Sequence, residues 1–266
     1  MTESPRPHRP EQRAVFQRDG VVPVRGFLTE AEVGDLTGAL ERFIRETAPG
    51  LKDGSVVTSG TGGIRALDNL TVDPYFEALG HSSKWMSLAA ELLGHPVCPA
   101  ARDEYSEWGW QAFFAVPPGA AESTPPHQDN YYYRWAPADT LSLWVALDAV
   151  DEANGCVRYV RGSHLKSLRH HTLSEHQAFS QTVADYGPDD RNAEVSFELK
   201  PGDLVAHHGG TIHRSLPNVS GRRRWAFAMF FRSTLCKRDE ESYAEYLKDL
   251  EEHKRWRQEL EQRAAE

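Results

Sequence analysis

The chain has 266 residues, of which 39% are hydrophobic and seven are Trp, so it is long enough to form one domain with a full core. Its formal net charge of −9 leaves no basic stripe to neutralise phosphates, and we expect no nucleic-acid partner. The three cysteines have no short spacing and no apolar run reaches about 18 residues, which predicts a reduced cytoplasmic protein with no membrane partner.

The N-terminal third is predicted to be mostly helical. Thr29 and Glu32 have the spacing of a capping box, and apolar residues recur at helical intervals after them. In chain order we expect a disordered start, a short helix with a strand, a capped helix, a loop and a second long helix, over residues 1–10, 11–27, 29–47, 49–63 and 81–93.

The middle of the chain changes to short apolar runs separated by Gly, Pro and Asn, which is typical of β-strands. The predicted strands cover residues 104–116, 140–150, 156–160, 194–199, 204–207 and 224–232. Several short strands after N-terminal helices predict a mainly β fold, a jelly roll with helices packed outside. We expect this domain to span residues 11–236.

The last segment, residues 237–266, is dense in charge and has aromatic residues at helical offsets. It is predicted to be an amphipathic helix. Two roles are open for it, a solvated end helix or a contact between copies of the chain, so the oligomeric state is not predicted.

One short motif suggests a metal centre. In His127-Gln128-Asp129, residues i and i+2 would share one face of a strand, so an imidazole and a carboxylate could bind one ion. His213 is the best candidate for a third ligand. Two His and one carboxylate with open positions is the ligand set of iron(II) oxygenases. An H-x-D triplet also arises by chance, and His207 or His208 could be the second histidine instead.

Arg224 opens an apolar strand eleven residues after His213. A planar guanidinium inside a barrel needs an anion, and the far carboxylate of 2-oxoglutarate would match its two-pronged donor geometry. The alternative is an arginine paired with a structural Asp or Glu.

In these motifs the sequence resembles the phytanoyl-CoA dioxygenase family of Fe(II)- and 2-oxoglutarate-dependent oxygenases. The resemblance rests on the order of the pieces His127-Gln128-Asp129, Trp144, Asn154-Gly155-Cys156, Gly162-Ser163-His164, Pro201-Gly202-Asp203, His213-Arg214-Ser215 and Arg224. Two positions depart from the family pattern: Arg161 replaces a usual proline, and a lysine that often precedes the metal motif is missing.

The resemblance implies a double-stranded β-helix that holds Fe(II) through His127, Asp129 and His213. It implies that 2-oxoglutarate is gripped at its far carboxylate, with O2 as the second co-substrate. The residues implied at the 2-oxoglutarate site are Arg224, Ser215, Trp144 and Gln111.

Candidate substrate contacts follow the metal motif. Aromatic rings with polar tips could clamp a small molecule, and a long polar segment over residues 170–192 could form a lid. His170 and His171 within it are expected to be solvated. The candidate contacts are Tyr131 and Tyr133, which would share one side if the strand continues, with Arg134 and His164.

These features together predict an enzyme that oxidises a C–H bond of a small-molecule metabolite with release of succinate and CO2. Two alternatives are open. One is a zinc hydrolase that uses the same three ligands, since zinc also accepts His and carboxylate. The other is a jelly-roll module that binds a metabolite without turnover.

Overall fold

The computed structural model of the protein describes residues 9–51, 55–58, 63–100, 110–121, 123–174 and 181–265. The α-helices of these ranges are α1 (Arg9–Asp19), α2 (Glu30–Glu46), α3 (Pro74–Gly80), α4 (Ser83–Leu93), α5 (Asp129–Tyr133), α6 (Pro188–Asn192) and α7 (Glu240–Ala265). The strands are β1 (Val21–Val24), β2 (Val56–Thr58), β3 (Ile64–Asp68), β4 (Val97–Pro99), β5 (Gln111–Val116), β6 (Trp135–Ala136), β7 (Thr140–Ala146), β8 (Val157–Val160), β9 (His171–Leu173), β10 (Gln181–Val183), β11 (Glu194–Ser196), β12 (Leu204–His208), β13 (His213–Ser215), β14 (Arg224–Ser233) and β15 (Lys237–Arg238).

The largest sheet runs in the order β1-β12-β7-β14-β5-β3-β2, and β4 pairs with the far end of β14. All of its pairings are antiparallel. Because side chains alternate across a strand, β14 sends Phe227 and Met229 to one face and Ala226 and Ala228 to the other. The first pair packs in the main core with residues of α2 and α4, and the second pair packs in a separate core.

The second core lies between the large sheet and a smaller antiparallel sheet of order β11-β8-β13. Trp144 and Val205 of the large sheet meet Tyr159 and Val157 of the small one there. Two facing antiparallel sheets with helices on the outer face form a jelly roll, so the predicted fold class is confirmed. The residues between the two sheets are the ones that can line a ligand site.

The capping box at the start of α2 is confirmed. The Thr29 side chain accepts a hydrogen bond from the Glu32 amide at 3.3 Å, and the Glu32 carboxylate accepts one from the Thr29 amide at 2.7 Å. The predicted disorder of residues 1–10 was wrong at its end, because α1 begins at Arg9; residues 1–8 lie outside the described ranges.

Other boundaries need correction. The loop predicted over residues 49–63 contains the short strand β2, and the helix predicted over 81–93 begins at Ser83, after a separate helix α3. The strand predicted over 104–116 is observed from Gln111, while its part up to residue 109 lies outside the described ranges. Strands of two or three residues are too short to produce a periodic pattern.

Helix α7 packs against its own chain. Tyr243 and Tyr246 are buried against Tyr131 of α5, and the His253 imidazole contacts the Ser174 carbonyl at 2.9 Å. One face of the helix is therefore used within the chain, and a contact between copies through the outer face stays a prediction. Among the described helices, none is long and apolar enough to cross a bilayer.

Candidate metal centre

His127 and His213 are neighbours across an antiparallel bridge. Each backbone amide donates to the other residue's carbonyl at 3.0 Å, so the two imidazoles lie side by side with ring centroids 4.2 Å apart. His213 is the first residue of β13 and His127 extends the small sheet by one pairing. Residues 86 positions apart are thus brought together by backbone pairing, before any metal is considered.

Asp129 joins them by a different route from the one predicted. It is the first residue of helix α5, so the expectation that His127 and Asp129 share the face of one strand was wrong. The turn into the helix still brings the carboxylate to the imidazoles. Asp129 Oδ1 lies 3.6 Å from His127 Nε2 and 3.5 Å from His213 Nε2.

The donor atoms of His127, Asp129 and His213 all lie within 4.8 Å of one another. The other ring nitrogens are already used: His127 Nδ1 lies 2.8 Å from the Pro125 carbonyl and His213 Nδ1 lies 3.0 Å from the Thr211 carbonyl. A ring that donates from Nδ1 keeps its Nε2 lone pair for a metal. The two imidazole nitrogens and one carboxylate oxygen fit ferrous iron.

The protonation of the site agrees with this arrangement. Burial lowers the pKa of His213 well below its ordinary value, so its imidazole is neutral, as a metal ligand must be. Burial alone would raise the pKa of the Asp129 carboxyl, but the three surrounding imidazoles outweigh it and hold that pKa well below its usual value. The carboxylate is therefore charged.

The second carboxylate oxygen of Asp129 is held by protein groups. Ser142 donates to Oδ2 at 2.6 Å, and His207 Nε2 lies 3.1 Å from the same atom. His208, the other rival for the metal, faces α1 instead and lies beside Phe16. Neither His207 nor Ser142 was predicted as a contact of Asp129. The spacing of Ser142 and Trp144, two residues apart on β7, was a signal for Ser142, because such residues point to the same face of a strand.

Arg224 is buried between the two sheets, with 4% of its surface exposed. Its Nη1 donates to the carbonyl of Gly155, and Nε has no hydrogen-bond partner among the described residues. Gly155 has a φ of 78°, and a Cβ there would lie 2.6 Å from the Leu216 carbonyl, so glycine is required where the arginine docks. No Asp or Glu of the described ranges pairs with Arg224, and burial lowers its pKa to about 10.

Two other predicted 2-oxoglutarate residues lie in the same region. The Arg224 guanidinium carbon lies 5.6 Å from the centre of the Trp144 ring. Ser215 is buried on β13, where its hydroxyl accepts a hydrogen bond from the Thr124 amide at 3.1 Å. Both residues face the space between the sheets.

Gln111 does not belong to this group. It pairs with Met229, whose side chain lies in the helix-side core, and its Nε2 donates to the carbonyl of Phe76 in α3 at 2.7 Å. The expectation that Gln111 contacts 2-oxoglutarate was wrong, because the register of β5 on β14 turns it to the outer face of the sheet.

The predicted substrate tyrosines do not share one side, because residues 129–133 form a helix and not a strand. The rings of Tyr131 and His171 stack with their centroids 3.8 Å apart, and the Arg134 guanidinium carbon lies 3.9 Å from the centre of the Tyr131 ring. Tyr131 packs with tyrosines of α7. Tyr133 packs near Phe230 of the inner face of β14. Tyr132, which was not predicted, has its ring centroid 6.0 Å from that of His127.

His164 lies away from the metal ligands. Its Nε2 is 3.1 Å from the Gln17 carbonyl of α1, and its ring is next to His208 on the outer side of the sheet. These two contacts lie in α1 and β12, and the contact of His164 with a substrate stays a prediction.

The segment predicted as a polar lid, residues 170–192, contains β9, β10 and α6. Its His171 was expected to be solvated, but it is buried, and its Nε2 accepts a hydrogen bond from the Gln128 amide at 3.3 Å. Tyr132 donates to the Gln181 carbonyl at 2.9 Å. The hairpin thus borders the metal centre, and closure as a lid stays a prediction.

Comparison with known proteins identifies a matching family and several similar proteins. The profile of the family described as phytanoyl-CoA dioxygenase (PhyH) matches residues 16–226. A phytanoyl-CoA dioxygenase of Arabidopsis thaliana is 31% identical over 161 residues, which are 59% of this chain and 52% of that protein. The match thus spans about half the length of that relative.

A 1-deoxypentalenic acid 11-beta-hydroxylase of Streptomyces arenae is 27% identical over 208 residues, which are 70% of each chain. Among solved structures, the non-haem α-ketoglutarate-dependent epimerase SnoN from nogalamycin biosynthesis superposes with a TM-score of 0.66 at 22% identity, covering 86% of this chain and 82% of that one. The structural likeness shows the same fold. With the profile match over most of its length, the chain belongs to the phytanoyl-CoA dioxygenase (PhyH) family.

Proposed function

We propose that this protein is an Fe(II)- and 2-oxoglutarate-dependent dioxygenase that oxidises a C–H bond of a small-molecule metabolite, with release of succinate and CO2. The observation that carries the proposal is the convergence of His127 Nε2, His213 Nε2 and Asp129 Oδ1 beside a buried arginine that has no acidic partner among the described residues. Iron and 2-oxoglutarate, when bound, supply the oxidant that breaks the C–H bond.

The protein's own part in this chemistry is to hold and orient. His127, Asp129 and His213 would hold the iron from one side, because their second polar atoms are bonded to the Pro125 and Thr211 carbonyls, Ser142 and His207. Three ligands on one side leave the opposite side open to 2-oxoglutarate and oxygen. The bonds around the ligands keep them from turning away when no metal is bound.

Arg224 would supply the charge that the far carboxylate of 2-oxoglutarate needs. A buried guanidinium with a free donor gains most from an anion that can accept two parallel hydrogen bonds. Trp144 would form an apolar wall beside the carbon chain of the co-substrate. Ser215 would contribute a hydroxyl from the neighbouring strand.

Arg224 argues against one alternative, and the arrangement of the three metal ligands argues against the other. A zinc hydrolase on the same ligands needs a metal-bound water, and that chemistry does not use a buried guanidinium. A binding module without turnover does not need three metal ligands whose second polar atoms are each fixed by hydrogen bonds to the protein. Neither alternative has an observation of its own in its favour.

For the substrate we propose a specialised metabolite. Two similar proteins carry names that point to such compounds, 1-deoxypentalenic acid for one and the nogalamycin pathway for the other. Tyr132 and Tyr133, which lie next to His127 and Phe230, are the candidate walls of its binding site. Hydroxylation is the proposed outcome, and the same oxidant could also remove hydrogen or close a ring.

The experiment is oxygen consumption with a set of candidate metabolites, measured with and without Fe(II) and 2-oxoglutarate. We expect consumption to require both additions and to yield succinate in step with product. The Asp129→Ala protein is the control and should consume none. Metabolite turnover with zinc alone would support the hydrolase, and metabolite binding without any consumption would support the binding module.

A further inference from the structure

Tyr159 lies on the central strand of the small sheet and faces the large sheet. It pairs with His213 on one side and with Val195 on the other, so its side chain points inward in one row with the metal ligand. Its ring lies 5.9 Å from the His213 ring and 5.2 Å from the His207 ring, measured between centroids. Only 1% of its surface is exposed.

The hydroxyl of this buried tyrosine has no hydrogen-bond partner among the described residues. Buried hydroxyls are nearly always hydrogen-bonded, and leaving one unpaired is destabilising, so a group normally fills such a place. A tyrosine hydroxyl carries a proton at neutral pH, so the Tyr159 oxygen can donate a hydrogen bond.

A second unpaired donor lies between the same two sheets. Arg224 Nε is also buried without a partner among the residues that the structure describes. Both residues are next to Trp144: the Arg224 guanidinium carbon lies 5.6 Å from the centre of its ring, and Tyr159 and Trp144 line a small cavity whose other lining residues are apolar.

We infer that Tyr159 is a binding residue for 2-oxoglutarate and that its hydroxyl donates to the same far carboxylate that Arg224 holds. This inference rests on the proposed function. A carboxylate has lone pairs for both donors, and each donor comes from a different sheet. The tyrosine thereby adds a neutral donor to the charge of the arginine and favours a dicarboxylate over a 2-oxo acid that has one carboxylate.

The test compares two ligands on two variants. The affinities of 2-oxoglutarate and of 2-oxobutyrate, which lacks the far carboxylate, are measured by calorimetry on the Fe(II)-loaded protein without oxygen. Tyr159→Phe keeps the ring against the histidines and removes only the hydroxyl. Tyr186→Phe is the matched control, because its hydroxyl bonds to Glu194 on the outer side of the same sheet.

We expect Tyr159→Phe to weaken 2-oxoglutarate roughly ten- to a hundredfold, as loss of a hydrogen bond to a charged group does, and to leave 2-oxobutyrate unchanged. Tyr186→Phe should change neither affinity. An unchanged affinity for 2-oxoglutarate would overturn the inference. An equal loss for both ligands would also overturn it, because the hydroxyl would then act on a part that both ligands share and not on the far carboxylate. If the wild-type protein binds no 2-oxoglutarate, the proposed function fails and the inference with it.

Discussion

His207 Nε2 and Asp129 Oδ2 lie 3.1 Å apart, and Ser142 donates to the same oxygen at 2.6 Å. The other oxygen, Oδ1, is the one that faces His127 and His213. The carboxylate is therefore held at one atom by the protein and offered to the metal at the other. This makes His207 a positioning residue for Asp129.

His207→Phe should lower the affinity for Fe(II) about ten- to a hundredfold, because the carboxylate loses one of the two bonds that orient it. Competition with a metal-binding dye measures the affinity. His207→Gln, which keeps an N–H donor, should recover part of the loss. His208→Phe is the control, since His208 faces α1; equal losses in the two phenylalanine variants would contradict the role of His207.

Arg224→Ala should raise the concentration of 2-oxoglutarate required for half-maximal rate by roughly a hundredfold, since a buried bidentate ion pair is lost. Arg224→Lys should keep the charge but not the two-pronged geometry, so we expect a loss between wild type and alanine. Initial rates against 2-oxoglutarate concentration measure this. An unchanged requirement in the alanine variant would refute the assigned role.

The same residue allows a test of stability. Without 2-oxoglutarate the buried guanidinium has no acidic partner in the described ranges, so Arg224→Met should unfold at the same temperature as wild type or higher. Added 2-oxoglutarate should raise the Tm of the wild-type protein and not that of the variant. A thermal melt with and without the compound measures both effects. A large drop in Tm of the unliganded variant would mean that Arg224 is structural.

The stability of the fold should fall in mild acid. Burial lowers the pKa of His208 to about 3, below the ordinary 6.5, so between these values the unfolded chain binds a proton that the folded chain does not. The free energy of unfolding is therefore highest above pH 6.5 and falls as the pH drops through that window. The free energies of unfolding of wild type and His208→Gln are measured by chemical denaturation between about pH 7.5 and 5.5. We expect wild type to lose more stability than the variant as the pH falls over this range. If the free energies of unfolding of the two proteins fell equally with pH, His208 would not be a source of the acid sensitivity.

Helix α7 should stabilise the segment that follows the metal motif. Tyr246 is buried, and its ring meets those of Tyr131 and Tyr132 at 6.2 and 5.9 Å. Tyr246→Ala should lower the free energy of unfolding by about 3 kcal/mol, as truncation of a buried aromatic residue does. Denaturant unfolding measures it, with the exposed Glu252→Ala as control. A change below about 0.5 kcal/mol would show that α7 docks weakly.

The metal ligands could be predicted from sequence because they stand in motifs whose order is specific to a family. Their local structure could not. Asp129 lies in a helix of five residues, which is too short to show a helical period beside three consecutive tyrosines. The resulting error placed Tyr131 and Tyr133 on one side and missed Tyr132.

Strand register explains the other errors. Side chains alternate along β14, so Arg224 and Met229 point to opposite faces of the sheet. The face to which Gln111 points depends on the register of β5 on β14, which pairs Gln111 with Met229. In the same way, only the partner strands show that His207 faces Asp129 while His208 faces α1. Tyr159 belongs to no motif, and only the structure reveals it, as a buried hydroxyl without a hydrogen-bond partner among the described residues.

Fe(II) binding measured by equilibrium dialysis without oxygen tests the central claim most directly. We predict one ion per chain for the wild-type protein, and loss of that ion in both Asp129→Ala and His213→Ala while their circular dichroism spectra stay unchanged. Undiminished binding of one ion in these two folded variants would contradict a shared site for the three side chains.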